Sequence, residues 1–504
     1  MNQIRCDLLV VGGGINGIGI ARDAIGRGLS VVLVEREDLA SQTSSWSSKL
    51  IHGGLRYLEQ YEFRLVAESL AEREVLLRIA GHLVWPARFI MPHVPELRPR
   101  WMIRAGLFLY DHLGRLAGRP VSLPGSHGVR LDHPPYGDGL RSGLRHGFMY
   151  SDCRVDDARL VLANAVDAER RGARILVRTE CVSARRTEDG WSAQLVSGSG
   201  MTTGVIARAV VNAAGPWVKK VLNDGLSQPS QDSVRLVKGS HIIVPRVYEG
   251  EHAFILQNDD KRVVFMIPYE GDFTLIGTTD IQIGGDPHNP MPGSDEVMYL
   301  CRAANRYLSR EIVPADVVWQ YAGVRPLYDD GSNDPSAITR DYTLRVDDVD
   351  GKAPVLSVFG GKLTTYRKLA EHAMDRLKPY FPGLGAAWTD RSPLPGSEFG
   401  DQPPSQVLAN LHQKYPGLPR DLVAALFRRH GTLTESVLGD AREARDLGEN
   451  FAGTLTEREL VWMVEREWAF TAEDVLWRRS KAGLHMNEAQ RSRVADWFAQ
   501  RVAQ

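Results

Sequence analysis

The segment that most restricts the fold is the N-terminal one, where an apolar β-prone run meets three spaced glycines and then a helical pattern. Residues 8–11, Leu-Leu-Val-Val, are continuously apolar, as expected of a parallel strand buried on both faces. Gly12, Gly14 and Gly17 follow as G-x-G-x-x-G. Residues 15–27 carry helical spacing up to Gly28, and residues 31–34 form a second apolar strand closed by Glu35. The first glycine permits the tight turn, the second lets backbone approach a pyrophosphate, and the third lets helix pack on strand. Unpaired N–H groups and the positive dipole end of the helix suit a diphosphate, and Glu35 is placed to accept from ribose hydroxyls. A glycine turn alone is common. With strand, helix and acidic residue in register, it predicts a dinucleotide site.

One such βαβ unit accounts for little of a 504-residue chain, which is long enough for two or three cores. Hydrophobic content of 43% and charged content of 24% are those of a folded protein. With 61 Lys+Arg against 62 Asp+Glu, overall charge gives no argument for a nucleic-acid partner. Cys6, Cys153, Cys181 and Cys301 are far apart and form no CxxC pair, so neither a metal site nor a disulfide framework is expected. No apolar run is long enough to cross a bilayer.

The pattern predicts an α/β chain in which a Rossmann-type nucleotide domain is interrupted by other elements. Residues 1–80 form its first part. Residues 81–147, rich in Pro, Gly and Arg, read as an irregular insertion around one apolar segment. Residues 148–232 return to the nucleotide domain with a helix, a meander and a buried strand at 210–215. Residues 233–350 alternate as an antiparallel substrate-domain sheet, residues 351–385 close the nucleotide domain, and residues 386–504 form a helical C-terminal domain.

Two later segments favour FAD over NAD. Residues 210–217, Val-Val-Asn-Ala-Ala-Gly-Pro-Trp, end a buried strand in small residues around Gly215, where backbone can approach a ligand closely. Residues 358–366 enter a helix through Gly360-Gly361-Lys362-Leu363-Thr364, and a helix N-terminus there can stabilise negative charge on a reduced flavin. Each also reads as an ordinary tight connection. A protein with one NAD domain, however, has no need of the returning segment.

Longer stretches carry a resemblance. Residues 43–57, including Ser44, Ser45, Ser48, Lys49, His52, Arg56 and Tyr57, are similar to the FAD-dependent, quinone-linked glycerol-3-phosphate dehydrogenases. So are Lys238-Gly239-Ser240-His241, Gly277-Thr278-Thr279-Asp280, Gly323-Val324-Arg325-Pro326-Leu327 and residues 360–370, with a looser match at 477–481. The resemblance implies a glutathione-reductase-like FAD domain, a substrate domain and a helical C-terminal domain. It also implies oxidation of sn-glycerol 3-phosphate to dihydroxyacetone phosphate, with electrons passed to membrane ubiquinone or menaquinone. The expected setting is then peripheral, on the cytoplasmic face of the membrane, and a homodimer is the expected assembly. Ser44, Ser45, Ser48 and Lys49 fall where the family contacts FAD.

The residues themselves agree with a small anionic substrate. Arg56, Arg325, Arg340 and Lys362 lie beside glycines or turns, and arginine's planar fork suits phosphate, although most arginines make ion pairs. Tyr57 and Asp280 complete the expected substrate set. His241, neutral on an apolar strand, reads either as the base for the C2 hydroxyl or as a hydrogen-bonded core histidine. Nothing around His52 demands a covalent flavin link. Residues 101–113 carry aromatic and aliphatic bulk between arginines, which suits a membrane-interface helix or a core helix. A flavin oxidase acting on a hydroxy acid, an amino acid or glycerol phosphate, or a non-catalytic FAD sensor, would share the fold.

Overall fold

The structure is a computed structural model that describes residues 3–94, 96, 98–116, 121–188, 190–230, 232–260, 262–329 and 341–502. Arg340 lies outside the described residues. Two large sheets organise the chain, with helices on and between them.

The smaller sheet runs, in spatial order, Thr343–Val349, Lys352–Phe359, Thr202–Asn212, Gln3–Val11, Val31–Val34 and Arg174–Leu176, with the Thr179–Thr187/Gly190–Ser197 meander attached to Thr202–Asn212. The pairings of Gln3–Val11 with both neighbours are parallel, and residues 8–11 are fully or nearly fully buried, as their unbroken apolar run requires. Helices Ile15–Gly26, Asp157–Arg170 and Tyr366–Leu377 pack together on this sheet. Thus the glycine fingerprint and the returning Gly-Gly turn meet at one sheet end. Asn16 ties them, its Nδ2 donating to the Gly360 carbonyl at 3.1 Å.

The larger sheet has ten strands. Val234–Pro245 lies between Phe273–Gly277 and Trp319–Tyr328, and Val263–Tyr269 and Ala253–Gln257 continue beyond. Here the structure corrects the sequence expectation. Residues 81–147 are not an irregular insertion: Val84–Pro92 is a strand of this sheet, antiparallel to His146–Val155. Pro86, Arg88 and Pro92 hide it by breaking the alternation that marks a strand. Pro86 is tolerated because the strand has its second neighbour only at Phe89 and Ile90. Thr343–Val349 also changes place, pairing in the nucleotide sheet and not in the substrate sheet.

Residues 100–116 form one helix with two different faces. Ile103, Leu107, Tyr110 and Leu113 are buried against Leu50, Val66 and Leu70. Trp101, Met102, Phe108 and Leu109 remain exposed, Trp101 by 70% and Phe108 by 57%. No helix among the described residues is long and apolar enough to cross a membrane. The C-terminal region is helical apart from the short hairpin Asn450–Ala452/Leu455–Thr456. It is joined to the nucleotide domain by buried ion pairs. Arg478 and Arg479 reach Asp38, Arg159 pairs with Glu467 at 2.7 Å, and Lys481 meets Asp156.

Candidate active site

A cavity of about 460 Å³ opens between the two sheets, within the size range of cofactor sites. Its lining includes Gly12, Gly14, Glu35, Ser44, Ser48, Tyr57, Gly215, His241, Arg325, Gly361, Lys362, Leu363 and Thr364. These positions are hundreds of residues apart in the chain and share one concave surface.

At the fingerprint end the walls are backbone. Gly12 has φ +115°, and a Cβ there would lie 2.5 Å from the Ala213 carbonyl oxygen. Gly17 is not in the lining. A Cβ on it would meet the Gly12 carbonyl oxygen at 2.0 Å, so the helix can approach the turn only over a bare Cα. Glu35 accepts the Gly13 N–H at 2.7 Å and the Glu37 N–H at 2.8 Å, which fixes its carboxylate at the strand end. Ser44 Oγ accepts from the Ile15 N–H at 3.0 Å, in the first turn of the helix.

At the other end the walls are side chains, those of His241 and Arg325 carried by the larger sheet. His241 is 3% exposed, stacks on Tyr321 with ring centroids 4.8 Å apart, and has Ser48 Oγ 2.9 Å from Nε2. Its Nδ1 has no hydrogen-bond partner among the described residues. Burial, reinforced by the charges of Lys49 and Arg325, holds its pKa well below 6.5, so the ring is neutral. Arg325 donates to the Thr279 carbonyl at 3.1 Å and lies 3.7 Å from Asp280. The Lys362 ammonium sits 3.8 Å from the centre of the Tyr57 ring.

Several expected contacts are corrected. Ser45 does not face the cavity: its hydroxyl donates to the Ala40 carbonyl at 2.5 Å. Lys49 is also turned away, in a buried pair with Asp157 at 2.9 Å and a bond to the Ser45 carbonyl at 2.8 Å. A loop with adjacent serines cannot send every side chain to one side, and these two fasten the loop from behind. Arg56 is absent from the lining, where its neighbour Tyr57 is present. Sequence reasoning passed over Trp46, Asn16 and Lys220, all in the lining. Only Trp46, a large aromatic inside the serine run, carried a readable signal.

The glycine cradle, the helix N-terminus aimed into it and the acidic strand end fit a flavin dinucleotide and define an FAD-dependent oxidoreductase. The family described as FAD dependent oxidoreductase matches residues 7–367, and the C-terminal domain of alpha-glycerophosphate oxidase matches residues 387–503. The chain is 52% identical to the aerobic glycerol-3-phosphate dehydrogenase of Escherichia coli (strain K12), over 99% of this chain and 98% of that protein. It is 51% identical to the D-erythritol 1-phosphate dehydrogenase of Brucella abortus (strain 2308), covering 98% and 97%. Among solved structures, the glycerol-3-phosphate dehydrogenase of Bacillus halodurans complexed with FAD superposes with a TM-score of 0.75 at 26% identity, covering 98% and 94%. The chain belongs to the FAD-dependent glycerol-3-phosphate dehydrogenase family.

Proposed function

We propose that the enzyme oxidises sn-glycerol 3-phosphate at C2 to dihydroxyacetone phosphate and passes the electrons to a quinone at the membrane surface. FAD, when bound, supplies the hydride acceptor. The backbone of Gly12–Gly14 and the following helix N-terminus hold its diphosphate, Glu35 its ribose, and the Gly361–Thr364 turn its flavin end. One observation carries the substrate reading: a neutral buried histidine shares a wall with an arginine and a lysine. His241, neutral and lining the cavity with Ser48 Oγ 2.9 Å from its Nε2, takes the C2 hydroxyl proton. Arg325 and Lys362 bind the phosphate and stabilise the developing alkoxide.

The decisive experiment is anaerobic titration of the purified protein with sn-glycerol 3-phosphate, which should bleach the flavin band. The near-equal similarity to the D-erythritol 1-phosphate enzyme supports a second reading, a longer polyol phosphate, and a parallel titration with D-erythritol 1-phosphate ranks the two. Oxygen uptake without added quinone would turn the acceptor assignment into an oxidase. Support for the membrane comes from the helix Arg100–Leu116, whose exposed apolar face lies beside the exposed Arg100 and Arg104.

A further inference from the structure

Strand alternation gives the Lys238-Gly239-Ser240-His241 motif two faces. Gly239 and His241 line the cavity. Lys238 and Ser240 point the other way, and both end on one carboxylate, Glu296, which is 5% exposed in the first turn of helix Ser294–Asn305. Its Oε1 accepts from Ser240 Oγ at 2.7 Å and from Thr279 Oγ1 at 2.8 Å. Its Oε2 accepts from the Lys238 ammonium at 2.7 Å and the Gly293 N–H at 2.8 Å. Burial alone would raise its pKa, but these donors together bring it below its ordinary value and keep it ionised.

The contacts beyond it lead back to the site. Thr279 Oγ1 also accepts the Ser240 N–H at 2.9 Å, and the Thr279 carbonyl accepts from Arg325 at 3.1 Å. Gly239 lies beneath this arrangement: a Cβ on it would come within 2.6 Å of both the Arg325 guanidinium and Thr278 Oγ1. The three motifs around Lys238, Gly277 and Gly323 therefore converge on one turn, and a fourth segment, with no motif of its own, pins that turn from outside the cavity.

We infer that Glu296 is a positioning residue for substrate binding, acting through Thr279 to aim Arg325. This role rests on the functional reading above. Glu296→Gln keeps the shape and removes the charge and one acceptor. It should lower kcat/KM for sn-glycerol 3-phosphate by roughly 10- to 100-fold, mostly through KM, with FAD content unchanged. Binding of glycerol 2-phosphate, which has no C2 hydroxyl to oxidise, should weaken by a similar factor when followed by the flavin difference spectrum. The distinguishing arm is a double-mutant cycle. In an Arg325→Ala background the same change should cost less than about threefold, because the side chain it aims is gone.

Additive losses would reduce Glu296 to a general structural role, and a Glu296→Gln enzyme with normal KM would remove it altogether. If Glu296→Gln fails to fold, Thr279→Val, which removes the hydroxyl that joins Glu296 and the Ser240 N–H to the turn, should show the same KM-weighted loss, and its absence overturns the inference. A wild-type enzyme inert to the substrate overturns the functional reading and this role with it; an active wild type with an additive cycle overturns this role alone.

Discussion

At the fingerprint end the cavity is walled by backbone and folds within the stretch from Gly12 to Glu35. At the proposed substrate end it is walled by side chains from separate elements: His241 and Arg325 on paired strands of the larger sheet, Tyr57 on the short helix Leu55–Gln60, and Lys362 in the turn after Lys352–Phe359. Val237 faces Arg325 in register and His241 faces Tyr321, so a one-residue slip between those strands would put Arg325 and His241 on opposite faces and leave the first group intact. The difference is between a site specified by what is missing, the Cβ atoms of glycines, and one specified by what is present. The first should fail completely when a side chain is added. The second should fail by degrees as groups are removed.

The sharpest way to break this contrast is at Gly17. Gly17→Val places atoms inside van der Waals distance of the Gly12 carbonyl, so the helix cannot close on the turn. The variant should purify colourless, and a flavin-to-protein ratio near wild type would show that the fingerprint tolerates bulk. Arg325→Ala comes next. Truncating one partner of a charge-assisted contact in a partly desolvated site costs on the order of 2–5 kcal/mol, so kcat/KM for glycerol 3-phosphate should fall roughly 30-fold to several-thousand-fold. FAD content should be unchanged, and Arg325→Lys should recover only part of the loss, restoring charge without the planar fork. Steady-state kinetics with flavin quantified per protein would show whether the two ends are separable.

The same contrast explains what the sequence revealed. The strand at residues 8–11, the glycine spacing and Glu35 are local, so their pattern carries its own physics. His241 and Arg325 were legible only as members of motifs, and nothing in the sequence indicates that Glu296 meets Lys238, Ser240 and Thr279. Val84–Pro92 was hidden for a related reason. Its two prolines and one arginine are tolerated by sheet positions that only tertiary structure defines. Ser45 and Lys49 failed because a loop's composition does not say which side chains face inward.

A third region separates packing from exposure within one helix. Replacing Phe108 and Leu109 with Ser should weaken binding to anionic liposomes roughly tenfold or more and leave FAD bound, since neither side chain is in the buried row. Cosedimentation measures the first and absorbance the second. Loss of FAD in that variant would return the whole helix to the core. A smaller effect concerns pH. Because burial keeps His241 neutral below 6.5, kcat at saturating substrate should stay level as pH falls through 6.5 and decline only at lower pH. An inflection at 6.5 in kcat at saturating substrate, where the phosphate is already bound, would mean that the titrating base is an ordinary exposed histidine.

The smallest expected effect tests the contrast within a single loop. Ser44 and Ser48 are four positions apart and both line the cavity, yet their hydroxyls serve different ends. Ser44 Oγ accepts from the Ile15 N–H, in the helix turn proposed to hold the diphosphate, and Ser48 Oγ bonds His241 Nε2. In Ser44→Ala the Ile15 N–H loses one neutral acceptor, a change of about 1 kcal/mol, and the phosphate itself or water can replace it. FAD affinity should fall by only about two- to tenfold, with kcat at saturating FAD unchanged. Ser48→Ala should behave in the opposite way, with normal FAD affinity and a kcat reduced because the imidazole loses the hydroxyl that holds Nε2. Fluorescence titration of the apoprotein with FAD, followed by kinetics at saturating cofactor, resolves the two quantities. If Ser44→Ala lowered kcat, or if Ser48→Ala released the flavin, the two ends would be mechanically coupled through this loop and could not be treated as independent halves.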